Sequence, residues 1–548
     1  MSATLVLTNG RFHTMDPANP TTTAIAIRHH RILATGTNDA MKALLSKNGE
    51  WIDLNGRSVT PGLVDAHVHF QNFSLHLQRV QLHNTTSLQD ALHRIQSQAA
   101  ALGSQNTETW LQGRSWSQND WADQAFPTAA ALDSVCPDRP ACLPDKSGHA
   151  AWVNSKALHH AGITAETPDP PGGKIQRDEL GNPTGILFEE AIKLVSQHIP
   201  RPTAYELAQA MKPAQEACWQ AGLTGLHDFD GRSCFIALQI LHHNRELGLR
   251  FIKNIPVYRL EHAIGVGLRS GFGSNWLRIG GVKLFADGAL GPRTAAMIEP
   301  YEGEPDNRGI VVTDKEEMHA RVSEASAAGL SATIHAIGDR ANHDVLDVYA
   351  AVRKAEKQRA KIKDSTATTP ASTIPLRHRI EHVQILHPAD LHRLAELNLI
   401  ASMQPIHATS DISMAETYWG KRTPYAYAWR TMLNNGTTLV FGSDAPVEPI
   451  EPIRGIHAAV TRCRPDGSPG QAGWHPEQKL SLHETIHAFT MGAALTSGQE
   501  TDQGSITPGK LADLTIFDRN IFETPPANLL DVHIDGTIVN GRFRHRTF

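Results

Sequence analysis

Between residues 63 and 442 the sequence alternates short β-prone runs with helix-like stretches, and this alternation constrains the fold more than any other feature. The β-prone runs are 63–70, 225–229, 250–258, 280–286, 331–336, 379–384, 400–404 and 438–442. Helix-like runs lie at 316–328, 342–356, 388–397 and 426–435. Strands separated by helices pair in parallel, because a parallel connection needs a crossover. Eight such units predict an α/β fold whose sheet closes into a (β/α)8 TIM barrel; an open doubly wound sheet satisfies the same alternation.

The two ends of the chain read differently. Residues 1–61 and 496–548 carry short apolar strands punctuated by turn signals such as Asn9-Gly10, Asp535-Gly536 and Asn540-Gly541. Each end is too small to bury a core alone. They are expected to pair into one small β-sandwich built from both termini, with the barrel occupying 62–495. After the first strand comes an insertion, about 72–220, far longer than an ordinary βα connection and so a subdomain of its own. It holds Trp110, Trp116 and Trp121, a segment at 146–149 and a Gly/Pro-rich turn at 168–173. A second insert, 357–375, is rich in Thr, Ser, Ala and Lys without periodicity and predicts a mobile surface loop.

Composition narrows the function. The 548 residues carry a formal net charge of -5, which gives no electrostatic reason for a nucleic acid or anionic membrane partner. No apolar run approaches the length of a membrane span. The five cysteines, Cys136, Cys142, Cys218, Cys234 and Cys463, are odd in number and lack a CxxC, which fits a reducing interior. The N-terminus shows no basic stretch followed by an apolar one. The expectation is a cytoplasmic enzyme acting on a small molecule, and a homodimer, the commonest assembly of such chains.

Several predicted strands end in a residue of ligand type. His67 and His69 stand two apart on the first strand and so share a face. Lys283 ends the fourth strand, His335 the fifth, His382 the sixth and Asp444 the eighth. Barrel enzymes build their sites where the strands end, so the set points to metal binding. Lys283 cannot coordinate a cation as an ammonium. It is either a plain lysine paired with Asp287 or an amine converted to a carbamate.

These motifs, together with the segments 146–158, 222–228, 280–294, 403–407, 441–449 and 504–514, resemble the metal-dependent amidohydrolase superfamily, in its family 3 or YtcJ-like branch. The resemblance implies a distorted (β/α)8 barrel with a terminal β-sandwich and an insertion after the first strand. It implies two Zn2+ per chain, with His67, His69 and Asp444 on one ion and His335 and His382 on the other. Lys283, as N6-carboxylysine, would bridge them. The implied activity is hydrolysis of a non-peptide carbon–nitrogen bond in a linear amide, N-acyl or N-formyl amine. A zinc-activated hydroxide would attack, with Asp444 as the proton shuttle. Ester, carbamate and lactam hydrolysis, a mononuclear deaminase and a non-catalytic regulatory homologue are the alternatives. Candidate substrate contacts are His149 and Trp116 in the insertion, Asp287 after the fourth strand, Gln404 and His407 after the seventh, and Arg422 in a lid-like segment at 408–426. His227 and Asp228 are candidates for support behind the ligands.

Overall fold

The computed structural model describes residues 2–103, 108–147, 149–366 and 376–548. It forms two compact units, Met1–Phe73 with Met211–Phe548, and Ser74–Ala210.

The first unit contains an eight-stranded parallel sheet whose spatial order follows the chain. Its strands are β1 (Leu63–Val68), β2 (Leu223–Asp228), β3 (Arg250–Pro256), β4 (Leu277–Phe285), β5 (Ser331–Ala336), β6 (Arg379–His382), β7 (Ile400–Met403) and β8 (Thr438–Phe441). Nearly every residue of β2, β5, β6 and β7 is buried. That pattern is expected of a parallel sheet covered on both faces, and it explains why these runs read as continuous rather than alternating.

The sheet closes on itself just beyond the last strand. Asp444 N donates to His67 O at 2.8 Å and His69 N to Ala445 O at 2.9 Å, so β1 meets the chain that follows β8. The Asp65 carboxylate reinforces this seam. It accepts from Ser443 N and His67 N, both at 3.0 Å, and from the Ser443 hydroxyl. Burial pushes the Asp65 carboxyl up to about 7, against the hydrogen bonds that favour its charge.

The first unit holds two further sheets. One orders Arg31–Gly36, Ala24–Arg28, Ala3–Thr8 and Leu45–Asp53. The other sets Leu514–Phe517, from the C-terminal end, antiparallel between Ser58–Pro61 and Ile534–Val539. Leu5, Ile25, Ile52, Val59, Leu514, Ile516 and Ile538 share one core between the two sheets. Ser58–Pro61 runs into β1 through Gly62, where a Cβ would come within 2.3 Å of the Thr224 hydroxyl oxygen; only glycine fits there. A buried pair, Arg250 Nε 2.5 Å and Nη2 2.9 Å from the Asp513 carboxylate, ties β3 to the C-terminal segment.

The second unit is built on six strands in the order Gly173–Arg177, Pro183–Glu189, Ala150–Val153, Ala141–Pro144, Leu111–Arg114 and Val80–Gln81. One apolar cluster holds Trp116, Trp121, Trp152 and Leu143; another holds Trp110, Val153, Ile175 and Leu187. Neighbouring residues of one strand, Trp152 and Val153, fall in different clusters, as period-two alternation requires.

The insert at 357–375 departs from the expected loop. Residues 357–366 continue the helix Asp339–Thr366, and 367–375 lie outside the described residues. Lys357, Arg359, Ala360 and Lys361 are good helix formers, so a polar stretch without an apolar face extends a helix already nucleated.

Replacing Asp65 by alanine should leave several buried donors at the seam without an acceptor and lower the apparent unfolding free energy by about 3 kcal/mol. Asp65→Asn should cost less. Denaturant unfolding of the two variants measures both, and an Asp65→Ala midpoint equal to that of the parent would show that the seam does not depend on the carboxylate.

Candidate metal centre

The ends of the barrel strands bring the sequence-predicted ligands together. His67 Nε2 and His69 Nε2 stand 3.6 Å and 3.5 Å from the same oxygen, Asp444 Oδ1. The ring of His382 is 4.9 Å from that of His67 and 4.6 Å from that of His335. His67, His69, Lys283, His335, His382 and Asp444 all line one cavity of about 350 Å³. Two of them reach it through strained backbone: His382 has φ +73° and Asp444 φ +64°, a region that costs a residue with a Cβ on the order of 1–3 kcal/mol. In β6, Arg379 and Glu381 share the inner face, and alternation would turn His382 away. The left-handed φ at His382 ends that alternation and lets its ring join the others.

The tautomers of these rings are set by what holds their outer nitrogens. His67 Nδ1 is 2.6 Å from Glu381 Oε2, His69 Nδ1 3.1 Å from Asp230 Oδ1, and His382 Nδ1 2.8 Å from Gln404 Oε1. Each partner is an acceptor, so each Nδ1 carries the proton and each Nε2 lone pair is left for the centre. His335 is arranged the other way, with Nε2 donating to Gly288 O at 2.8 Å. Burial, then the Lys283 charge, lowers His67 to about 4, and the same causes lower His335 to about 3. Burial and the neighbouring His335 hold His382 well below the usual imidazole range. Neutral imidazoles are the ligand form, so this donor set fits divalent ions.

Behind the rings lies a shell of compensated charge. Burial alone would raise Glu381, but Arg379 and His67 outweigh it and hold the carboxyl well below its ordinary range. Arg379 Nη2 is 3.0 Å from Glu381 Oε2, and Arg379 Nη1 donates to His227 Nδ1 at 3.0 Å. Asp228 accepts from Phe70 N at 2.9 Å and pairs with the buried ammonium of Lys253 at 2.7 Å. Asp228, Asp230 and Cys234 form a cluster of ligand type, but Lys253, which also bonds Asp230 O, already supplies its cation. Glu381, Arg379, Asp230 and Lys253 were not singled out from sequence. Glu381 stands directly before His382, and alternation argued against its facing the same centre.

Lys283 is buried in β4, with Nζ 4.6 Å from the Phe229 ring and 4.8 Å from the Phe285 ring. Burial lowers its amine to about 8, against the pull of Glu381 and Asp444. It does not pair with Asp287, whose carboxylate is taken by Ala296 N, Ile337 N and Gly338 N at 2.8–3.0 Å.

The predicted substrate contacts divide. His407 lines the cavity, with Nε2 3.4 Å from Asp444 Oδ2 and Nδ1 3.7 Å from Glu448. Although burial opposes it, those carboxylates push His407 up to about 10. His382, His407 and Asp444 offer ligand atoms within 4.8 Å of one another, and His407 was not among the expected metal ligands. Gln404 is buried and serves His382 instead of the cavity wall. Asp287 holds loop backbone. Arg422 is stapled to the carbonyls of Trp419, Glu299, Pro300 and Tyr418, so it does not reach for an anion. The lid-like segment is helical over Ile412–Trp419, with Trp419 fully buried. In the second unit, Trp116 is core, fully buried with Nε1 donating to Leu143 O at 2.6 Å, because an indole that large completes the apolar cluster. His149 is exposed, with Nδ1 3.0 Å from Glu189.

Known proteins resemble this chain over nearly its full length. YtcJ of Bacillus subtilis is 30% identical over 97% of this chain and 98% of its own. N-substituted formamide deformylase of Arthrobacter pascens is 27% identical over 99% and 98%. The crystal structure of an uncharacterized metal-dependent hydrolase from Pyrococcus furiosus superposes with a TM-score of 0.75 at 26% identity, covering 95% of this chain and 99% of that one. Residues 50–545 match the model of the Amidohydrolase family, and the chain belongs to that family.

Proposed function

We propose that this protein hydrolyses a non-peptide carbon–nitrogen bond, in a linear amide or an N-acyl or N-formyl amine, with two zinc ions held by His67, His69, Lys283, His335, His382 and Asp444. The observation that carries the reading is the convergence of those six side chains on one cavity, with three Nε2 lone pairs turned inward. The relative named N-substituted formamide deformylase supports the choice of bond. Divalent ions in such a site polarise a carbonyl oxygen and acidify water.

The chain's own residues account for the rest. With its amine lowered to about 8, Lys283 has a neutral fraction at mild pH. That lone pair adds to the carbon of CO2 and loses one proton to solvent, giving N6-carboxylysine. The new carboxylate offers two oxygens where an ammonium offered none. Phe229 and Phe285 flank the amine, with Nζ over both rings. Asp444, its carboxyl held well below the ordinary range by His67, His407 and His382 against burial, is ionised and ready to accept a proton. It takes the proton of the attacking water and passes it to the nitrogen as the carbon–nitrogen bond breaks. His407, set between Asp444 and Glu448, fixes the direction of that carboxylate.

Two measurements test the reading. Asp444→Asn should retain much of the bound metal while turnover on N-acyl and N-formyl amines falls by about 10²–10⁴-fold. A near-normal rate would remove Asp444 from proton transfer. Lys283→Ala should reduce the metal found by elemental analysis from two ions per chain to one or fewer; two ions retained would show that the lysine does not bridge.

A further inference from the structure

One histidine on the cavity wall, His407, lies outside the six proposed ligands yet has the spacing of a ligand. Asp444 divides its carboxylate between two groups of rings. Oδ1 stands 3.6 Å from His67 Nε2 and 3.5 Å from His69 Nε2, and Oδ2 stands 3.4 Å from His407 Nε2. A charge-assisted hydrogen bond from nitrogen to a carboxylate closes to about 2.7–2.9 Å, as His67 Nδ1 does on Glu381 at 2.6 Å. Two donors bound at about 2.0–2.2 Å to one tetrahedral zinc lie about 3.3–3.6 Å apart. The gap between Asp444 and His407 therefore matches two ligands of one ion, as do the gaps to His67 and His69. His382 completes the group, since it, His407 and Asp444 are all buried with one ligand atom each inside 4.8 Å. Gln404 places both rings: its side chain holds His382 Nδ1 at 2.8 Å, and its carbonyl accepts from His407 N at 3.1 Å. His382 thus offers Nε2. His407 Nδ1 faces the Glu448 carboxylate at 3.7 Å, an acceptor that favours the tautomer with Nε2 bare. His335, by contrast, spends Nε2 on Gly288 O, and among the described residues no such group of three contains it.

The geometry points to His407 as a further metal ligand, on the ion that His382 holds, with Asp444 joining the two ions through Oδ1 and Oδ2. This rests on the two-ion reading above and adds to it a ligand from beyond the seventh strand. When the ion enters, His407 Nε2 gives it a lone pair, and a proton carried there passes to solvent. Glu448 then stands behind His407 as Glu381 stands behind His67. The hold of His407 on the direction of Asp444 is exerted through the ion between them. A carboxylate has about four lone-pair sites, so joining two ions leaves Asp444 a site for the proton of the attacking water.

The test uses the full chain loaded with zinc, crystallised, with the ions located by anomalous scattering at the zinc edge. One ion is expected about 2.0–2.1 Å from His407 Nε2 and about 2.0–2.2 Å from Asp444 Oδ2. In solution, zinc per chain is measured by elemental analysis after dialysis against a zinc buffer. His407→Gln, which can still hydrogen-bond Asp444 but supplies no imidazole, should fall from two ions toward one, whereas His407→Cys, which restores a zinc ligand, should recover the second. If a variant does not fold, the parent crystal decides alone. No ion within about 3 Å of His407 Nε2, beyond any zinc–nitrogen bond, or two ions retained in His407→Gln, overturns the assignment and leaves the two-ion reading standing. A parent that binds fewer than two ions overturns both.

Discussion

Closure of the barrel is the contact on which the rest depends. Two main-chain hydrogen bonds, from Asp444 N to His67 O and from His69 N to Ala445 O, join the first strand to the chain beyond the last. Three of the four residues that make that seam are proposed ligands. Nothing local places Asp444 near His67, for 377 positions separate them; only a sheet that has gone full circle does so. Asp65 secures the same seam from inside, at the expense of burying a carboxyl, so completing the fold and assembling the centre are one event.

The centre concentrates imidazoles in a space that would tolerate few charges. Burial keeps His67, His335 and His382 neutral, and ionic partners stand behind the rings. Glu381, which orients His67, is balanced by Arg379, and Asp230, which orients His69, has its main chain held by Lys253 and by Asp228, themselves an ion pair. A ring whose Nδ1 is held this way presents its remaining lone pair without having to choose a tautomer when an ion arrives, which reduces the reorganisation needed at binding.

Much of this was legible in the chain because it depends on period and residue type. Alternation in β1 puts His67 and His69 on one face, and eight β-prone runs separated by helices announce a parallel sheet that the structure closes. The metal-ligand candidates could be picked because histidine, lysine and aspartate stand at strand ends. What stayed hidden depends on tertiary contact. The aim of His382 needs a left-handed φ that no motif announces. Arg422 looks like an exposed anion hook in sequence and is a staple across carbonyls in the structure, a difference set by a turn formed around it. Trp116 could have walled a pocket, although a tryptophan in a subdomain is more often core, and the packing around its indole makes it core.

The strand Leu514–Phe517 sits between Ser58–Pro61 and Ile534–Val539, and Leu63 N bonds the Thr515 hydroxyl across 452 positions of chain. During synthesis on the ribosome, the strand leading into the barrel must wait with one edge bare until Leu514–Phe517 has emerged. An unpaired edge invites pairing with other chains, and such distant contacts form slowly. The newborn protein is therefore most vulnerable to aggregation late in translation, and chaperone protection would matter most over that interval.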